Sequence, residues 1–226
     1  MLWCSNFRLS ILMPSIYATS KDGRVLSFQS GWSSARDTTD GSSASHTLTS
    51  FVNAIQARKA RGTTYIINRS FFRFDTSSIS VTPSDATLKI YGRTNSSADF
   101  FVVKSSQGLS LGTDDFDAID GWNNSGVDNE ANVTKYSSEV TSWSTSGYND
   151  ITLNATATLD MSNLDALQIC LIESVHDLRN VAPTGTFSTG LYYQDQFGTS
   201  FDPYIEYTEG TEESVSYNAN FFGANF

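Results

Sequence analysis

Apolar and polar residues alternate with a period of two through many short stretches of this chain, the spacing that turns one face of an extended segment toward a core. A short extended stretch opens the series at residues 15–19, and 24–30 alternate with Leu26 and Phe28 on one face, Val25 and Ser27 on the other. The longest such stretch is 63–76, where Ile66, Ser70, Phe72 and Phe74 share one face and Tyr65, Ile67, Phe71 and Arg73 the other. Apolar residues on both faces predict a central strand. Residues 86–92 alternate with Ala86, Leu88 and Ile90 inward and Lys89 outward, and 99–105 follow as the next strand. Segments 138–143 and 149–153 read as a strand pair across the turn 144–148. Residues 167–175 read as a fully buried strand, and 186–194 and 203–207 as the last two.

Between these lie turn-forming residues. The polar stretch 31–45 reads as a loop carrying Trp32, and 46–60, with Leu48, Phe51, Val52 and Ile55, as a strand or a short helix. Residues 107–136 are acidic and rich in Gly and Asn, which predicts a long loop with one short helical turn, the kind of segment where binding usually sits. No stretch holds a helical period beyond about two turns, so little helix is expected. Roughly eight to ten short strands without internal repeats predict an all-β fold, a two-sheet antiparallel jelly-roll β-sandwich with long loops. One domain over 15–208 accounts for the pattern, with an arm at 1–14 and a tail at 209–226 that ends in Phe221, Phe222 and Phe226. Those three rings call for docking, on the parent domain or on a neighbour.

Composition narrows the function classes. A chain of 226 residues can bury a core without a metal or disulfides. A net charge of −10 and an isoelectric point near 4.5 repel polyphosphates, and the one basic cluster, Arg58, Lys59 and Arg61, precedes Gly62 and reads as a solvated turn. Nucleic-acid binding is not expected. No apolar run reaches the ~18 residues of a membrane span. Cys4 and Cys170 make no disulfide framework, and Cys170 sits in an apolar run that predicts a buried free thiol. Residues 1–14 lack the features of a signal peptide, and Met13 reads as an alternative natural start.

Three stretches, Arg69-Ser-Phe-Phe-Arg-Phe-Asp75, Ala86-Thr-Leu-Lys-Ile-Tyr91 and Asp202-Pro-Tyr-Ile-Glu-Tyr207, resemble in order and spacing the DNRLRE-type, carbohydrate-binding-module-like jelly rolls. Residues 149–154 look like the strand before the buried one in such domains. The resemblance spans roughly residues 16–208 and implies a jelly roll of the kind found in structural proteins of tailed phages and in bacterial surface proteins.

Candidate chemistry is sparse. Asp114, Asp115, Asp117 and Asp120, ahead of Gly121, supply closely spaced hard oxygens that calcium could use, although a solvated acidic loop accounts for them as well. Trp32, Trp122, Trp143, Tyr192 and Tyr193 offer flat faces for sugar rings, against the plainer expectation that most rings fill a core. Only His46 and His176 exist. Glu173, His176 and Asp177 lie close in sequence, but no nucleophile elbow accompanies them. Asp75, Glu139, Glu173 and Glu206 are nominal glycosidase carboxylates with nothing to select a pair, and Asp75 reads as bonding the turn that follows it. No catalytic residues, and so no enzyme, are expected. The expectation is a non-enzymatic virion structural protein of a tailed phage, a capsid decoration or tail-associated component. It would assemble in the host cytoplasm with other virion proteins, with itself as a homo-oligomer, or with both. The alternative is a secreted or cell-surface carbohydrate-binding module, calcium-dependent or not, for cell-surface glycans.

Overall fold

The computed structural model describes residues 13–194 and 200–211. Cys4 and the ring-bearing tail residues Phe221, Phe222 and Phe226 lie outside the described residues.

Eleven strands are described: β1 Ser15–Tyr17, β2 Gly23–Ser30, β3 Ser43–Ser45, β4 Ser50–Lys59, β5 Thr64–Asp75, β6 Asp85–Ser96, β7 Phe100–Lys104, β8 Tyr148–Thr152, β9 Ala166–Glu173, β10 Thr186–Tyr192 and β11 Tyr204–Thr208. Every strand pair is antiparallel, as the alternation predicts. The ladder runs β1-β11-β6-β10-β4-β5-β2-β3, with β8 beside β6, β9 beside β5 and β7 beside β9.

Strands β5 and β6 make this path fold over. Each is 12 residues long and changes neighbours along its length. β5 gives residues 65–68 to β4 and 70–75 to β9, while β2 stays on its other side. β6 gives 85–91 to β11 and β8, and its far end to β10. The outcome is one layer β3-β2-β5-β9-β7 and a second β1-β11-β6-β8, joined along one side by β4 and β10. On the other side β7 and β8 end their layers.

Between the layers Phe72 and Phe74 of β5, Val102 of β7 and Leu167, Ile169 and Leu171 of β9 meet Leu88 and Ile90 of β6, Ile151 of β8 and Ile205 of β11. Each is sealed from water or nearly so. Burying each such side chain stabilises the fold by ~1.5–3 kcal/mol. Ala86, Leu88 and Ile90 face inward and Lys89 outward, following their alternation. The turn at 60–63 carries Gly62 at φ +71°, which places the basic cluster at an exposed corner as expected.

The sequence reading needs amendment in several places. Residues 46–60, read as a strand or a short helix, hold the strand β4. The stretch 31–45 holds a short helix α1, Trp32–Arg36, as well as β3. A second helix, α2 Ala155–Asn163, was not foreseen, and Asn154 caps it by accepting hydrogen bonds from the Thr156 and Ala157 amides. The excursion 107–136 contains little regular structure beyond a 3-10 turn at Thr113–Asp115, yet it forms a third layer. Leu111, Phe116, Ile119 and Val133 lie on the outer face of β2, β5, β7 and β9, against Val25, Ile67, Phe71, Phe101, Val103, Cys170 and Ile172. Both faces of β5 are therefore covered. Among the described residues no helix is long and apolar enough to cross a membrane.

Candidate functional site

The third layer is held by two arginines that are fully buried. Arg69 sits at an odd-numbered position of β5, on the face turned to the excursion. Its Nε and Nη2 donate to the two carboxylate oxygens of Asp177 at 2.8 and 2.7 Å, and its Nη1 to the Phe116 carbonyl at 2.7 Å. Arg36 ends α1 and donates to the carbonyls of Asp177, Leu178 and Val127, and to the Asp37 carboxylate. Burial lowers the pKa of Arg36 and raises that of Asp37. The Trp122 ring lies 4.7 Å from the Arg36 guanidinium and 4.0 Å from that of Arg69. Trp122 therefore fastens the excursion to the sheet.

The other sequence-predicted residues are similarly occupied. Trp32 donates to Asn180 Oδ1 and packs edge-on against Tyr65. Trp143 donates to the Gly190 carbonyl and packs edge-on against Phe100. Tyr193 is wholly buried, bonded to Ser70 and stacked on Phe72. Trp32, Trp122, Trp143 and Tyr192 are each half-buried, but they pack against different parts of the molecule, so the five do not converge on one surface. The acidic set is likewise spread over separate partners. Asp115 accepts from the Gly108 and Gly112 amides, Asp117 from Asn124 and Asp120 from Thr134. Among the described residues no three His, Cys, Asp or Glu side chains are grouped so as to hold a metal ion.

Glu173, His176 and Asp177 come together for a structural purpose. The wide π-type turn Ser174–Leu178 leaves amides that the Glu173 carboxylate accepts, from Val175, His176 and Asp177. Burial nevertheless dominates and pushes the Glu173 pKa up to about 7. His176 faces the Val181 carbonyl through Nδ1 and packs on Phe187, and burial lowers its pKa. Glu139 pairs with Arg179, Glu206 with Lys89, and Asp75 accepts from the Ser77 amide and hydroxyl, the turn bond anticipated for it. Cys170 is a buried free thiol whose pKa burial raises.

Two surface features were not read from the sequence. The first is a slot of about 650 Å³ between residues 137–142 and 148–154. The expected strand pair across the turn 144–148 has not formed. Val140 instead exchanges both backbone hydrogen bonds with Phe100 of β7, while β8 pairs with β6. The two arms thus belong to different layers and stand apart, with no backbone hydrogen bond between 138–142 and 148–152. One end of the slot is closed by Asn154, which donates to the Tyr136 and Lys135 carbonyls. The other is closed by Asn149, which joins both the amide and the carbonyl of Ser144. Val140, Ile151 and Leu153 are the apolar residues lining it, among Ser138, Thr141, Ser142 and Thr152.

The second feature is a strip of six rings on the outer face of the β1-β11-β6-β8 layer. Tyr17 contacts Tyr204, Tyr204 contacts Tyr148, Tyr148 contacts Tyr91, and Tyr91 contacts both Tyr192 and Phe201, with centroids 4.3 to 5.5 Å apart. Tyr17 is 48% exposed and the other five are half-buried. Tyr148 donates to the Asp202 carbonyl, and burial raises its pKa to about 12. These rings come from five separated segments, and only Tyr192 was singled out in the sequence. No protein-family model matches the chain, and no curated protein matches it.

Proposed function

We propose that this chain is a non-enzymatic structural component that works through protein–protein assembly, as a capsid decoration or tail-associated protein of a tailed-phage virion. The observation that carries the reading is the six-ring strip. Aromatic residues are enriched at the cores of interfaces, and a connected, partly exposed ring surface is what association buries. Four of its contacts have interplanar angles of 74 to 88°, so the rings stand mostly edge-on to one another and offer no continuous flat platform for a sugar. Asp75, Glu139, Glu173, Glu206 and His176 are engaged in turn, cap, ion-pair and packing contacts. The resemblance to jelly-roll domains of phage structural proteins supports the same reading, which carries a virion location with it.

Sedimentation of Tyr17→Ser/Tyr204→Ser beside the wild type tests it. The expected result is a wild-type chain that self-associates at micromolar concentration and a variant at least about tenfold weaker, a change of about 1.4 kcal/mol. Equal behaviour of the two would contradict the role given to the strip. A second reading, glycan recognition, draws on the hydroxyl- and amide-lined slot beside Tyr148. A glycan array separates the two, because a pure assembly component gives no selective sugar signal.

A further inference from the structure

Charge is divided between two ends of the molecule. No Asp or Glu occurs in residues 24–36, 41–74 or 178–194, and these segments surround the turn at 60–63. There the Gly31 amide donates to the Thr63 carbonyl and the Lys59 amide to the Gly185 carbonyl, while Thr64 pairs with Ser30 and Thr186 with Arg58. Arg58, Lys59 and Arg61 stand exposed at this corner, and the segments that build it supply no opposite charge.

Strand β5 leads from this corner, at Thr64, to the opposite end at Asp75, about 36 Å of strand. At that end the Thr76 amide donates to the Asp165 carbonyl, Thr82 and Ser162 bond through their hydroxyls, and the Ser84 amide donates to the Thr208 carbonyl. These bonds gather Asp75, Asp85, Asp165 and Glu209, all exposed, and Glu212 and Glu213 follow in the sequence. Arg73, which is half-buried, is the cation that acts on Asp75. Among the described residues neither the basic side chains of the corner nor the carboxylates of the far end form an ion pair. The excursion is different, because its Asp115, Asp117 and Asp120 are bonded within it.

The rest of the chain does not neutralise its own corner. Glu212 and Glu213 follow directly on Thr211 at the acidic end and reach at most about 7 Å beyond it. Asp195 follows Gln194, and β10 has by then run about 20 Å away from the corner, from Thr186 to Tyr192. Residues 1–12 contain no Asp or Glu, and 214–226 no charged side chain at all. We infer that the basic corner of one copy docks on the acidic end of the next, a head-to-tail contact between copies of this chain. A net charge of −10 makes two copies repel in most orientations, and this one brings their opposite charges closest. The contact is separate from the six-ring strip and rests on the assembly reading. Being heterologous, it builds a ring where the rotation between copies closes and a filament where it does not.

The test uses the full-length chain carrying Tyr17→Ser/Tyr204→Ser, which weakens the strip contact, and reads its mass by sedimentation at about 20 mM and about 500 mM salt. The expected result is association at least about tenfold tighter at low salt. In that background Arg58→Glu/Lys59→Glu/Arg61→Glu is expected to stay monomeric, and so is Asp85→Lys/Asp165→Lys/Glu209→Lys, which spares the turn bond of Asp75; each sets like charges against one another. Mixing the two restores association, because the unchanged end of each meets its complement on the other, and the restored contact shows that both fold. Reversal variants that associate like their parent, a mixture that stays monomeric, or a parent that is monomeric at both salt concentrations would overturn the head-to-tail contact and leave the strip reading standing. A wild type that is monomeric as well would overturn both. Binding of added polyglutamate by the corner of a chain that remains monomeric without it would move the partner outside this chain and overturn the contact between copies.

Discussion

Replacing Asp177 by alanine removes the only carboxylate that Arg69 contacts among the described residues, and both side chains are completely sealed from water. A buried pair is worth little over an apolar substitute, because desolvation offsets most of the attraction, whereas a lone buried charge costs ~3–5 kcal/mol. Arg69 would keep its bond to the Phe116 carbonyl but lose two charge-assisted ones. The loss does not stay local, since the same guanidinium packs on Phe116 and Trp122, which anchor the third layer. For a domain of this size each kcal/mol lowers the melting temperature by ~2–4 °C, so Asp177→Ala should melt about 10 °C below the wild type. Thermal denaturation followed by circular dichroism measures this. The double replacement Arg69→Met/Asp177→Leu, which leaves no orphaned charge, should be less damaging than the single one. A single variant within about 2 °C of the wild type, or a double variant worse than the single, would refute the clamp.

Three further outcomes follow from particular groups. Glu173 has a folded-state pKa raised from 4.5 to about 7, so the folded chain binds more protons than the unfolded one in between. Its contribution to stability is complete below about pH 4.5 and is lost as pH rises through 7, by roughly 1–3 kcal/mol. Urea unfolding from pH 5 to 8 should show that decline in the wild type relative to Glu173→Gln, and parallel curves would contradict it. The lowered pKa of His176 acts in the opposite sense below about 6.5 in both proteins and cancels in the comparison. Gly92→Ala would drive a methyl into the Ser144 carbonyl, Trp143 and Asn149, where the loop closes the slot. It should cost ~1–3 kcal/mol in unfolding free energy, and an unchanged melting curve would show that the loop is not held there. In a Cys4→Ser background, Cys170 should resist a thiol reagent for hours and react fully in denaturant; rapid reaction in the native state would place it outside the core.

Period-two alternation carried most of the fold. The inward set of β6 and the two-sided burial of β5 are direct readings of Ala86, Leu88, Ile90 and the residues of 63–76, because a strand's side chains have only two directions available. Partner choice is different, since it depends on residues distant in sequence. Segments 138–143 and 149–153 look like a local hairpin, and only the competing claims of Phe100 and of β6 separate them. Helix α2 was missed because its buried side chains are few, Ala157, Thr158 and Met161, and its clearest signal is the cap Asn154. The third layer had a legible sign: Arg69 lies between Ile67 and Phe71 on one face of β5, and a charge among apolar neighbours needs buried partners. The aromatic strip left none. Its rings are scattered from Tyr17 to Tyr204, and only the register of β1, β6, β8, β10 and β11 assembles them.

Light scattering on the purified full-length chain over a hundredfold range of concentration tests the central claim of assembly most directly. The account predicts a mass that rises with concentration to a whole multiple of 24.8 kDa. A mass fixed at 24.8 kDa throughout would contradict it.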